Sequence, residues 1–157
     1  VKGAQPLHYI LKSIATGKDT TFIVEEYHSE VISLLDVTKP KAYLIPADDK
    51  LLIGLLNKHE INYEMYSPDE NDALFAYSIN EVTEEEIEGL NLTRLHVEKR
   101  ETDIGKDKRY VKVPLNQLKS NMIVLAFEPE SSLGLITYSK FDYLYKDKEI
   151  YPVLRIE

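Results

Sequence analysis

The spacing of apolar positions changes several times along the chain, and each change marks an expected element. Leu7, Ile10, Leu11 and Ile14 recur at i, i+3, i+4 and i+7, which predicts a short amphipathic helix that Gly17 would stop. From Thr20 the period drops to two. Phe22 and Val24 alternate with Ile23 and Glu25, and Val31, Ser33 and Leu35 alternate with Ile32 and Leu34. Two strands are expected, 20–27 and 30–36, turning near His28-Ser29. After Pro40, the run Ala42-Tyr43-Leu44-Ile45-Pro46-Ala47 has the continuous apolar character of a buried strand. Asp48 or Asp49 is suited to cap a following helix whose inner face would be Leu51, Leu52, Leu55 and Leu56. Ile61, Tyr63 and Met65 then alternate as a strand, so residues 42–66 predict a parallel, right-handed βαβ unit.

Residues 73–82, 92–102 and 109–113 read as extended segments. Between the first two, Thr83 with Glu86 fits a capping box and Gly89 a C-cap, which predicts a helical turn. Leu115, Leu118, Met122 and Leu125 predict a second amphipathic helix over about 115–127, closed by Pro129. Tyr151, Val153 and Arg155 alternate with Leu154 and Ile156 as a terminal strand. The expected class is α+β: a mixed sheet of several strands, one βαβ unit, a second helix and a C-terminal strand. Residues 1–37 form an N-terminal helix and strand pair, as a linker or as part of the same domain, and 38–157 form the main α+β domain.

Composition narrows the function. The chain has 157 residues, 43% of them apolar, enough for a core. Its net charge of -8 opposes nucleic-acid backbones, and no basic stripe overrides it. Lys106, Lys108, Arg109 and Lys112 cluster, but Glu101, Asp103 and Asp107 lie among them. No apolar run is long enough to span a membrane, and no charged segment followed by an apolar one marks a signal peptide. The chain opens on Val1 rather than Met, which points to a processed chain or a piece of a longer one. With no Cys, disulfides, thiolate zinc sites and Cys nucleophiles are excluded.

No catalytic, cofactor-binding or metal-binding residue stands out. His8, His28, His59 and His96 show no i, i+4 pairing. His28 with Glu30, and His96 with Glu98, would share a strand face, but two ligands do not make a zinc site. His59 fits the C-terminal end of the 51–56 helix, where a cation favours the dipole. Nucleophile-elbow, Walker A and dinucleotide-binding motifs are missing. The 11 Tyr, with no Trp, suit half-buried sheet packing, or an aromatic face for a partner domain or a sugar.

Three stretches in fixed order carry a resemblance. They are Pro40-Lys41-Ala42-Tyr43-Leu44-Ile45-Pro46-Ala47 leading into Leu51–His59, then Val111-Lys112-Val113-Pro114-Leu115-Asn116-Gln117, then Leu125-Ala126-Phe127-Glu128-Pro129-Glu130-Ser131 closing on Tyr151-Pro152-Val153-Leu154-Arg155. From Thr38 to Glu157 the chain resembles the region downstream of the catalytic domain in a subset of bacterial zinc carboxypeptidases. It departs from them at Ile104-Gly105-Lys106, at Leu118, and at Ser132-Leu133-Gly134. The family's His-x-x-Glu pair, later His and general-base Glu have no counterpart here. The resemblance therefore implies a non-catalytic accessory domain, with no cofactor of its own. Its partner would be the zinc peptidase domain of the same parent chain, where the zinc is expected. It also implies an extracellular or cell-envelope location.

Two alternatives stand beside that reading. One is an independent carbohydrate- or peptide-binding module. The other is a stand-alone enzyme with an acid/base site at Pro46-Ala47-Asp48-Asp49, beyond the first strand of the βαβ unit.

Overall fold

A computed structural model describes residues 4–28, 33, 36–69, 71–87, 89–104 and 108–157. The chain divides into two compact units, Val1–Thr38 and Lys39–Glu157.

The first unit is an antiparallel hairpin of β1 (Ala4–Lys12) and β2 (Asp19–His28). The helix expected at 7–14 is therefore a strand. Leu7, Tyr9 and Leu11 also satisfy a period of two, and they lie opposite Val24, Phe22 and Thr20. Cross-strand pairing wins over the helical spacing, and Ile14 falls in the connecting turn, fully exposed. Gly17 serves that turn at φ +67, with its N–H donating to the Ser13 carbonyl at 2.8 Å. The strand expected at 20–27 is β2, but its partner is β1. The strand expected at 30–36 falls largely outside the described residues, and Ser33 and Asp36 are not in a strand.

The second unit is α+β. Its elements are β3 (Ala42–Pro46), α1 (Lys50–Lys58), β4 (Glu64–Met65), β5 (Leu74–Ile87), β6 (Leu90–Glu101), β7 (Tyr110–Pro114), α2 (Ser120–Phe127) and β8 (Leu154–Ile156). Two 3-10 helices, Leu135–Thr137 and Ser139–Leu144, precede β8. The strands make one six-stranded sheet in the order β4-β7-β3-β8-β5-β6. β3 and β4 run the same way, as the βαβ pattern requires, but β7 lies between them and is antiparallel to both. The C-terminal strand β8 inserts between β3 and β5.

β3 is central because its residues are apolar on both faces. Tyr43 and Ile45 enter the larger core with α1 and α2, while Ala42 and Leu44 enter a smaller core on the other face. Asp49 caps α1, its carboxylate accepting from the N–H groups of Leu51 and Leu52 at 3.1 and 3.0 Å. Leu52 and Leu56 are fully buried, Leu55 packs partly, and Leu51 faces outward.

Two local expectations are corrected. Residues 83–87 extend β5 instead of forming a helical turn. Thr83 pairs with Arg94 and Glu86 with Asn91, and Gly89 at φ +78 helps close the hairpin. A capping box supplies two hydrogen bonds, whereas the hairpin supplies a ladder. The second helix starts at Ser120, not near 115, and buries Ile123 and Phe127. Leu118, Met122 and Leu125 face outward instead, Leu118 at 99% exposure.

Candidate functional site

Three places in the second unit bring polar or exposed apolar groups together. The first is buried. Glu128 ends α2 in an extended conformation and is only 4% exposed. Its carboxylate accepts from the Tyr43 hydroxyl, from the Tyr77 hydroxyl at 2.6 Å and from Arg155 Nη1 at 2.9 Å. Arg155 Nη1 also donates to the Tyr77 hydroxyl at 2.6 Å, and Nη2 pairs with Glu157 at 3.0 Å. Burial, and then the Glu128 carboxylate, push the Tyr43 phenol far above its ordinary range. Burial and the hydrogen bond to Glu128 do the same at Tyr77. Both phenols stay protonated and donate. The network joins β3, β5, α2 and β8, and its carboxylate is occupied by internal donors, so it acts as a pin.

A second pin holds the turn before α2. Gln117 Nε2 donates to the carbonyls of Pro114 at 2.6 Å and Asn62 at 3.1 Å, while its Oε1 accepts from the Asn62 N–H at 3.0 Å. Tyr43, Gln117, Glu128 and Arg155, four polar residues of the three sequence motifs, are thus used for scaffolding.

The second place is an apolar groove of about 340 Å³ between α1, α2 and the 3-10 segment. Leu55, Ile61, Met122, Leu133, Tyr138 and Phe141 line it, with His59 at its edge. Leu133 is 65% exposed, and Met122 and Tyr138 of the same lining are exposed as well. Tyr143 continues the aromatic surface, its ring 6.4 Å from that of Phe141 and its hydroxyl bonded to Asp49 at 2.8 Å.

The third place is a cleft of about 540 Å³ over the other face of the sheet. Its floor includes Ala76, Tyr110 and Leu154, and its wall is the loop Pro46-Ala47-Asp48 together with Thr102, Asp103, Lys108, Arg109 and Lys148. The Ala47 N–H donates to the Arg109 carbonyl at 2.9 Å, which fixes this end of β3 against β7.

The residues weighed from sequence are dispersed. His8 is on β1 opposite Ile23, and His28 ends β2, while Glu30 lies outside the described residues. His59 closes α1, and its carbonyl accepts from Lys119. His96 and Glu98 share one face of β6, where Glu98 pairs with Arg100 at 2.6 Å. Lys112 lies 3.9 Å from Asp72. Lys106 and Asp107 fall outside the described residues. Among the described residues no group of three His, Cys, Asp or Glu is placed to hold a metal ion, and no helix is long and apolar enough to cross a membrane. Both surface sites draw on residues to which sequence reading gave no place in a site, chiefly Leu133, Phe141 and Lys148, while Tyr138 was read only as one of the half-buried or partner-facing tyrosines. Phe141 lies in the second 3-10 helix and Leu133 and Tyr138 in the turns beside the first, segments with no extended period to detect.

Comparisons with protein families, with curated proteins and with solved structures found no match to this chain.

Proposed function

We propose that this chain is a non-catalytic accessory domain of a secreted zinc-carboxypeptidase-like protein, docking on the peptidase domain of the same parent chain. The observation that carries this reading is the apolar groove between α1 and α2, with Met122, Leu133 and Tyr138 exposed in its lining. Outward apolar residues collected on one face mark an interaction surface better than scattered ones do. The motif geometry supports the same reading, because Tyr43, Gln117, Glu128 and Arg155 are taken up in holding the scaffold together. Catalysis would belong to the zinc-activated water of the partner domain. This domain would stabilise that partner or shape access to its cleft, outside the cell or in its envelope.

The test begins with the full-length gene product around Val1, read for an upstream His-x-x-Glu and a later His. Hydrogen exchange of residues 118–138 is then compared in the full-length protein and in this chain alone. Added protection in the full-length protein is expected. Equal exchange in the two would remove the docking reading. The alternative, an independent carbohydrate- or peptide-binding module, is favoured by the polar cleft on the opposite face of the sheet.

A further inference from the structure

The cleft over the second face of the sheet brings together five charged side chains of both signs: Asp48, Asp103, Lys108, Arg109 and Lys148. Opposite charges that line one cavity usually neutralise one another. Here, among the described residues, none of the five forms an ion pair within 4.0 Å, although ion pairs occur elsewhere in the same unit. The floor beneath them is apolar, built from Ala76 and Leu154. The volume of about 540 Å³ lies within the range of small-molecule sites, roughly 300–1,000 Å³.

We infer that this cleft binds a small zwitterion, a molecule with a carboxylate, an ammonium group and a short apolar body, such as an amino acid or a dipeptide. Arg109 offers a planar fork that matches a carboxylate, with Lys108 and Lys148 adding positive potential. Asp48 and Asp103 supply acceptors for the ammonium group. A ligand with only one charge would leave one sign of the lining unanswered, and a purely apolar ligand would leave both. This inference goes beyond the docking proposal and does not depend on it, because the apolar groove lies on the opposite face of the sheet.

The experiment is a titration of the 157-residue chain followed by amide chemical shifts. The probes are leucine, the dipeptide Ala-Leu, N-acetyl-leucine and leucinamide. The expected result is saturable shifts at Ala76, Thr102 and Leu154 with the first two probes. Blocking either charged end should weaken binding about tenfold or more, the loss of one charge-assisted hydrogen-bonded pair. Arg109→Gln and Asp48→Asn, both surface changes, should weaken the zwitterions with melting temperature unchanged. No saturable shifts with any probe, or equal binding of blocked and free probes, would overturn the inference. So would shifts that survive both substitutions. Leu133→Glu, in the apolar groove, should leave zwitterion binding intact, which separates failure here from failure of the docking proposal.

Discussion

Removing the Glu128 side chain tests whether the buried network carries the stability of the second unit. In Glu128→Ala the guanidinium of Arg155, 2% exposed, loses its main buried counter-charge and keeps Glu157 at 3.0 Å. The hydroxyls of Tyr43 and Tyr77 lose their acceptor as well. Breaking a buried ion pair from one side costs about 3–5 kcal/mol, set against a total stability of about 5–15 kcal/mol for an ordinary domain. At about 3–6 °C per kcal/mol for a domain of this size, the melting temperature should fall by roughly 10–30 °C. Arg155→Met should cost a similar amount, because it strands the carboxylate. The double variant Glu128→Leu/Arg155→Met removes both charges together. It should cost less than the sum of the single Glu128→Leu and Arg155→Met changes, by at least about 1.5 kcal/mol. Chemical denaturation of the four proteins in this cycle, together with Glu128→Ala, measures these quantities. A Glu128→Ala cost under about 1 kcal/mol, or strict additivity in the cycle, would refute the pin.

Alkaline pH should unfold the domain through its tyrosines. Tyr43, Tyr77 and Tyr151 have folded values raised far above the ordinary 10.0, with burial the largest cause, so their contribution is intact below pH 10 and is lost as pH rises towards the folded values. Tyrosinate absorbance and circular dichroism should therefore change together above about pH 10, and early titration of all tyrosines in a still-folded chain would contradict this. Asp49→Ala removes the cap of α1 and the acceptor of Tyr143, and should cost about 1–2 kcal/mol in a thermal melt. Gln117→Ala cuts three hydrogen bonds that hold the turn before α2, and should cost about 1–3 kcal/mol in denaturant. Leu133→Glu, on an exposed side chain, should change stability by less than about 0.5 kcal/mol while abolishing the added exchange protection in the full-length protein.

Much of the fold was legible where one signal dominated. β3 carries a continuous apolar run and is buried on both faces, and Asp49 caps α1 as its position predicts. The expectations failed where two signals competed on the same residues. At 7–14 the chain satisfies both a helical and a strand period, and the presence of β2 decides between them. At 83–89 local capping residues lose to the ladder with β6. In α2 every residue from Met122 to Phe127 is apolar, so spacing alone cannot choose the inner face. Glu128 chooses it: its bonds to Arg155 and the two tyrosines fix the end of the helix, and Phe127 turns inward, with its ring 5.7 Å from that of Tyr43.

The polar motif residues acquire their meaning only from these long-range contacts. Tyr43 and Glu128 are 85 positions apart, and Tyr77 and Arg155 are 78 apart, so no local pattern relates them. Once they are joined, they tie β3, β5, α2 and β8 together from the inside, while Gln117 of the second motif holds the turn before α2 separately. The surface then divides into two chemically different regions on opposite faces of the sheet. The α1–α2 side is apolar, the face proposed to dock a protein partner, while the β3–β7 end carries charges that form no ion pair among the described residues, the cleft inferred to take a small zwitterion. Neither region contributes to the pin, so the surface substitutions should separate docking from ligand binding without unfolding the domain. Glu128→Ala should impair both together.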